Sequence, residues 1–171
     1  MAAPGDAGGA DGADVAEVFD LVEHVGIALR PSLMPFSPWE TLESYIRLLD
    51  FIERRHLVEN VDPVHLSIRL LIPPGSALLD SPDRHAWLRE LDAAAYTYRW
   101  QHPDPRMDAL HSRVTELVEE AQRREADSVE TFFHIKALAL AAQGQDMCVS
   151  CGIGSYGTRK VVPHLTETWF C

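Results

Sequence analysis

Apolar residues recur at helical spacing along much of the chain, and this pattern predicts most of its secondary structure. A first helix is predicted over about 14–24 and a second over about 38–55. The same periodicity predicts three later helices over about 82–95, 105–124 and 127–143.

Polar residues that cap helices mark the ends of these predicted elements. Ser37, followed by Pro38 and Glu40, predicts a capping box at the start of the second helix. Asp127 begins the last helix in the same way, and Gly144 follows its end.

Two shorter stretches alternate between apolar and polar residues, which is typical of β-strands. The first covers 26–34 and carries Arg30 near its end, and the second covers 64–72 and carries Arg69. A Pro-Pro-Gly turn at 73–75 ends the second stretch. The resulting order of helix, strand, helix and strand favours βα units with a parallel sheet, and therefore an α/β fold.

The two arginines are candidates for a ligand site. In barrels built from βα units, ligands bind at the carboxyl ends of the strands, where Arg30 and Arg69 are predicted to lie. The alternative is that both arginines form salt bridges or lie at the solvent edge of the sheet.

Charge and composition limit the classes of partner. The 171 residues carry a net charge of −11, so a nucleic-acid partner is not expected. No apolar run long enough to span a membrane is present in the sequence, and no secretory signal is recognised at its start. We therefore expect a cytoplasmic protein. Residues 1–13 are rich in Gly, Ala and Asp and are predicted to be a disordered lead-in.

The three cysteines all lie in a predicted tail over 145–171, which suggests a single local site. Cys148 and Cys151 form a Cys-x2-Cys pair, and Cys171 is the last residue. Thiolates at this spacing can share one metal ion or one corner of a cluster, with Cys171 as a third ligand. The alternatives are a structural zinc site, a redox-active dithiol, and cysteines without a function. His164 is the histidine nearest this set in the sequence.

Several motifs resemble the radical S-adenosylmethionine (SAM) superfamily. The segment 33–43 is similar to the loop after the fifth strand of radical SAM barrels, although Pro35 and Pro38-Trp39 replace the usual glycines. The turn at 73–76 is similar to the loop after the sixth strand, where backbone groups approach the SAM adenine.

The last residues resemble one group in particular. Leu-Thr-Glu-Thr-Trp-Phe-Cys at 165–171 is similar to the tail of the radical SAM (seleno)proteins that end in Cys-Cys-Ala-Glu-Pro or Cys-selenocysteine-Ala-Glu-Pro. The block at 98–105 resembles the same family, so the resemblance covers about 14–171. We hypothesise that a UGA codon, read as a stop, ended the frame after Cys171.

The resemblance implies a partial radical SAM (β/α) barrel over 14–80, formed by its last two strands with their flanking helices. A mainly helical extension is expected over 81–144, followed by the cysteine-containing tail. The cofactors of the full-length family are SAM and a [4Fe–4S] cluster, and an auxiliary cluster or zinc at the tail is a further possibility. The expected SAM or substrate contacts are Arg30, Ser32, Glu40, Arg69, Pro74, Gly75 and Ser76.

The sequence departs from the family in one important respect. The Cys-x3-Cys-x2-Cys motif that holds the [4Fe–4S] cluster is absent from it. We therefore expect the C-terminal part of an enzyme that is inactive alone, whose partner is the N-terminal half of the same protein or a split subunit. Its substrate, a small molecule or a peptide, is not identified. The alternatives are a small metal- or thiol-binding module that acts alone and a remnant without function.

Overall fold

A computed structural model describes residues 12–25 and 29–156, which include six α-helices and a two-stranded antiparallel sheet. The helices are α1 (Gly12–His24), α2 (Leu42–Arg54), α3 (Arg84–Trp87), α4 (Pro105–Arg123), α5 (Ser128–Ala142) and α6 (Val149–Ser155). The strands β1 (Leu88–Asp92) and β2 (Thr97–Trp100) form one hairpin, and 3₁₀ helices cover Pro63–Leu66 and Ala77–Asp80. The fold class is α/β as predicted, and no barrel is evident among the described residues.

The long predicted helices are confirmed with nearly the predicted bounds. Helix α2 buries the stripe expected from its apolar spacing, with Tyr45 and Leu49 fully inaccessible. Asp127 caps α5 by accepting hydrogen bonds from two backbone N–H groups, and Gly144 follows that helix with a φ of +80°. The apolar spacing and the capping residues of these helices are therefore enough to predict where they form.

The start of α2 differs from the prediction. Thr41 is the N-cap, and its hydroxyl and that of Ser44 each accept from the other residue's backbone N–H group. Residues 37–40 instead form a turn in which the Glu40 N–H group donates to the Ser37 carbonyl. Thr41 is as competent an N-cap as Ser37, and a start at Leu42 places that leucine in the core.

The helix predicted over 82–95 is wrong. Only Arg84–Trp87 is helical there, and the chain continues into the β1–β2 hairpin. Asp92 stabilises the turn by accepting from the N–H groups of Ala94 and Ala95. The alternating, aromatic-rich residues of β2 favour a strand, and pairing with them draws β1 away from its own helical tendency.

The predicted strand over 64–72 is also corrected. Its first residues form the 3₁₀ helix Pro63–Leu66, which Asp62 caps through the Val64 N–H group. Only the part after Ser67 pairs with a neighbouring segment, through a parallel bridge between Phe36 and Arg69. An Asp-Pro pair is a helix-start signal, and here it outweighs the apolar alternation that follows it.

The predicted strand over 26–34 falls partly outside the described residues. From Leu29 to Met34 the side chains alternate between partly buried and exposed, as the pattern predicts, but the segment is not part of a sheet. A bridge lies just beyond the predicted end, where the Phe36 N–H group donates to the Ile68 carbonyl at 3.2 Å. The Phe36 carbonyl accepts from the Leu70 N–H group at 2.8 Å.

The second extended segment lies between Phe36 and the hairpin. The Tyr98 N–H group donates to the Ile72 carbonyl, and the Trp100 Nε1–H group donates to the Leu70 carbonyl, both at 2.8 Å. Because Leu70 meets Trp100 and Ile72 meets Tyr98, this segment and β2 run in opposite directions. The arrangement is therefore mixed and does not continue as a parallel barrel.

The main hydrophobic core is helical, and a smaller cluster lies under the hairpin. Helices α2, α4 and α5 supply most of the main core, whose fully buried residues include Phe133 and Ile135. The smaller cluster is formed by Ile72, Trp87 and Trp100. Because the described residues form two separate clusters, the contacts that join these clusters are important for stability.

Helix α5 is central and carries a partly buried cation. Lys136 forms ion pairs with Asp50, at 2.6 Å, and with Glu53, which joins α5 to α2. Burial by itself would lower the pKa of Lys136, but the hydrogen bonds to the two carboxylates outweigh it, so the pKa is raised. The triad therefore keeps its charges paired where α2 and α5 meet.

Helix α6 packs closely against α5 at one glycine. A Cβ atom added at Gly152 would lie 2.7 Å from Phe133 Cδ1 and 2.8 Å from Met147 Cε, whereas nothing lies within 4 Å at Gly154. We expect Gly152→Ala to lower the free energy of unfolding by about 1–3 kcal/mol through overpacking. Gly154→Ala, the matched control, should be neutral or stabilising by up to about 1 kcal/mol. Urea unfolding measures both, and equal midpoints for the two variants would contradict the packing argument.

Candidate functional site

Arg69 lies where the predicted ligand loops meet, and its side chain makes hydrogen bonds and an ion pair with other residues of the chain. One guanidinium nitrogen is 2.8 Å from the Trp100 carbonyl and 2.9 Å from Asp108 Oδ1. The guanidinium carbon lies 3.7 Å from the centre of the Trp100 ring, which is a cation–π stack. Arg69 therefore joins its own segment to β2 and α4.

A chain of hydrogen bonds continues from Arg69 to Glu40. Asp108 also accepts from the His102 N–H group at 3.0 Å, and His102 Nε2 is 2.6 Å from the Glu40 carbonyl oxygen. Since that oxygen is an acceptor, Nε2 carries the proton and donates. The Nδ1 atom then accepts from the Asp104 N–H group at 2.8 Å. Two predicted site residues, Glu40 and Arg69, are thus connected through His102 and Asp108.

The other predicted contacts of the first loop are more exposed. Arg30 and Ser32 both lie on the exposed side of their segment. The Ser32 hydroxyl is 3.5 Å from His65 Nδ1, which is a long hydrogen bond between the first extended segment and the 3₁₀ helix Pro63–Leu66. The predicted polar face therefore exists, and it faces outward.

The Pro-Pro-Gly turn is confirmed as a tight turn. The Ser76 N–H group donates to the Pro73 carbonyl at 3.1 Å, and Gly75 has a φ of +86°, which a residue with a Cβ atom rarely adopts. The Ser76 hydroxyl accepts from the Leu78 N–H group and caps the following 3₁₀ helix. Pro74 is half-buried and Gly75 is exposed.

An open groove lies beside Arg69. Its volume is about 550 Å³, and Leu71, Tyr98 and Trp100 contribute to its lining. Among the seven predicted cofactor contacts, all of which lie in the described part of the chain, Arg69 is the one that lines this groove. The groove brings the second extended segment together with the hairpin, and the Pro-Pro-Gly turn lies outside it.

The Cys-x2-Cys pair forms a disulfide at the start of α6. The Cα atoms of Cys148 and Cys151 are 5.3 Å apart, and both residues are exposed. Cys148 is the N-cap of α6, and its sulfur accepts from the Cys151 N–H group at 3.3 Å. Spacing thus predicted correctly that the two sulfurs meet.

Of the three cysteines in the predicted metal site, Cys148 and Cys151 lie in the described part of the chain. Cys171 and His164 lie outside the described residues. Within 12–25 and 29–156, no group of three or more potential metal-binding side chains comes together. Reduction of the disulfide would free two adjacent thiolates for two positions of a zinc or cluster site, and any further ligand would come from elsewhere.

No sequence pattern predicts the residues that hold the Arg69 junction together. Asp108 lies in the first turn of α4, and His102 precedes the Asp104-Pro105 cap of that helix. The Asp-Pro signal marks where α4 begins, but nothing local indicates that His102 and Asp108 meet the loop at Glu40. That contact depends on how distant segments pack.

Comparison with known proteins adds no identification, because no protein-family model, curated protein or solved structure matches the chain. None of the described helices has both the length and the apolar character needed to cross a membrane.

The stack of Arg69 on Trp100 requires a planar guanidinium. We expect Arg69→Lys to lower the free energy of unfolding by about 1–2 kcal/mol, because an ammonium group cannot reproduce the stack with its two hydrogen bonds. The matched control is Arg47→Lys on the exposed surface of α2, where Arg47 pairs with Glu43, and it should change stability by less than about 0.5 kcal/mol. Denaturant unfolding measures both variants, and similar losses would refute the special role of Arg69.

His111 gives the junction a pH dependence. Burial lowers the pKa of His111 and the neighbouring Arg69 lowers it further, while a hydrogen bond at the Ser67 backbone and Asp108 oppose them. Because the folded pKa is depressed, the unfolded chain takes up the proton first as the pH falls. The stability contribution is therefore present above about 6.5, the ordinary value, and is lost as the pH falls through the folded pKa.

We expect His111→Gln to flatten the dependence of stability on pH between about 7 and 5. Exposed His85 offers the control His85→Gln, which should retain the wild-type slope. Thermal unfolding in a series of buffers measures the slopes, and an unchanged slope in His111→Gln would show that other groups cause the dependence.

Proposed function

We propose that the chain is the C-terminal part of a radical SAM enzyme of the group with Cys-Cys-Ala-Glu-Pro or Cys-selenocysteine-Ala-Glu-Pro tails. The observation that supports this most is the parallel bridge between Phe36 and Arg69, with α2 between the two segments along the chain. Parallel neighbours joined through a helix are the unit from which radical SAM barrels are built. The sequence resemblance at 33–43, 73–76 and 165–171 supplies the family.

Under this proposal, SAM contacts the exposed face of the first segment and the turn that follows the second. Arg30 and Ser32 present charge and a hydroxyl on that face, and the turn at 74–76 offers backbone groups. Arg69 holds the loops in place, because its guanidinium is already bonded to Trp100 and Asp108. Bound SAM would supply the radical chemistry once a cluster from the N-terminal half reduces it.

The [4Fe–4S] cluster does not fit the residues described. Cys148 and Cys151 are paired with each other, and the sequence holds no Cys-x3-Cys-x2-Cys motif. The partner in this proposal is therefore the N-terminal half, or a split subunit, that carries the cluster. The compartment proposed is the reducing cytoplasm, where such clusters are kept.

A second candidate is a small metal- or thiol-binding module that acts alone, and the free edge of the first segment favours it. In an extended chain, residues 31, 33 and 35 point their backbone groups away from the bridge to Arg69. Pro31 and Pro35 have no N–H group, so a further strand would find only the Leu33 donor there. An edge of this kind is expected where no further strand pairs with the first segment, as in a module that acts alone.

DNA sequence and cofactor binding separate the two candidates. If the radical SAM proposal is right, the DNA encodes an in-frame Cys-x3-Cys-x2-Cys motif upstream. It also carries UGA followed by codons for Ala-Glu-Pro after Cys171. The same proposal expects SAM binding by calorimetry only when the upstream segment is co-expressed with this chain. A different stop codon, together with a chain that alone is a stable monomer binding one zinc ion, would overturn it in favour of the module.

A further inference from the structure

We propose that Cys148 and Cys151 form a redox-active dithiol that exchanges with thiols or disulfides of a partner, with Cys148 as the nucleophile of the reduced pair. This inference does not depend on the radical SAM proposal, because it rests only on the geometry of the pair. Three features carry it: the two sulfurs meet, both residues are exposed, and the backbone favours one sulfur over the other.

The first feature is that the backbone already brings the two sulfurs together. The Cα atoms are separated by 5.3 Å, a separation from which a disulfide forms without backbone movement. The Gly152 N–H group donates to the Cys148 carbonyl at 3.1 Å, so the first turn of α6 holds the cysteines in place with its own hydrogen bond. Oxidised and reduced forms can therefore share one backbone.

The second feature is that the two sulfurs are accessible while the turn that carries them is anchored to the core. Both cysteines are exposed, so a partner thiol can reach either sulfur. The rest of the turn is anchored, because Gly152 lies against Phe133 of α5 and Ile153 packs on the main core. A buried structural disulfide would lack this access, and an unanchored loop would lack the fixed geometry.

The third feature is the asymmetry between the two sulfurs. The Cys151 N–H group points at the Cys148 sulfur, at 3.3 Å, and so stabilises negative charge on it. In the reduced pair, Cys148 is therefore the sulfur with the larger thiolate fraction, and it is the thiolate that attacks an external disulfide.

The reaction balances with an external disulfide as the oxidant. The Cys148 thiolate attacks one sulfur of the external disulfide, the bond between its two sulfurs breaks, and the second sulfur leaves as a thiolate that takes up a proton. The Cys151 thiol then loses its proton and attacks the Cys148 sulfur of the mixed disulfide, which releases the first external sulfur as a thiol. The external disulfide is reduced to two thiols, and the cysteine pair loses two electrons and two protons.

The single-cysteine variants test which sulfur reacts. We expect the full chain with Cys151→Ser to form a stable mixed disulfide with oxidised glutathione or with a model peptide that carries an intermolecular disulfide, through Cys148. The full chain with Cys148→Ser should react about tenfold or more slowly, because Cys151 lacks the stabilising N–H group. Intact-protein mass spectrometry with peptide mapping measures the rates. Both variants carry Cys171→Ser so that only one thiol is present.

The control and the contrary outcomes are equally direct. Cys171→Ser alone should leave a disulfide that opens and closes reversibly in mixtures of reduced and oxidised dithiothreitol. Equal rates for the two single-cysteine variants would refute the assignment of Cys148. The wild-type chain could instead bind zinc in stoichiometric amount, and that zinc could fully protect the two cysteines from oxidation. This result would show a metal site in place of the redox pair.

Discussion

The fold depends on the way Arg69 joins a helical core to a hairpin. The main core is built from α2, α4 and α5, while the hairpin has its own small cluster around Trp87 and Trp100. Arg69 is bonded across this division, to Trp100 of β2 and Asp108 of α4, and its backbone bridges to Phe36. A lysine would provide the positive charge but not the planar guanidinium group, so the fold needs an arginine at this position and not just any cation.

Helix periodicity and caps could be read from the sequence because they are local. The apolar stripe of α2 and the cap at Asp127 involve residues a few positions apart, and both are confirmed. The hairpin could not be read in the same way. Leu88 and Leu91 have a helical spacing of three residues, and only pairing with β2 selects the strand. The residues 64–66 likewise alternate as a strand would, but the Asp62 cap and Pro63 select a 3₁₀ helix.

The two candidate sites show the same contrast. The meeting of Cys148 and Cys151 follows from their spacing, since a single turn of backbone sets the distance between their sulfurs. Arg69 stands on the polar face of an alternating segment, and this pattern predicts a ligand contact. Its partners Trp100 and Asp108 come from later elements, and no local pattern predicts that they surround it. Long-range pairing of a charged residue is therefore the feature that sequence reasoning is least able to supply.

The Arg69 junction and the cysteine pair use different parts of the core, and this bears on how the protein can work. Arg69 is bonded to β2 and to the first turn of α4, whereas α6 rests on α5 through Gly152 and Phe133. Changes at sites that share no contacting residues add independently in their effect on stability. Opening the disulfide therefore leaves the loops near Arg69 in place, because the hydrogen bonds of α6 and its packing on α5 do not require the bond between the sulfurs. The cysteine pair and the Arg69 junction can therefore be altered one at a time, because they share no contacting residue.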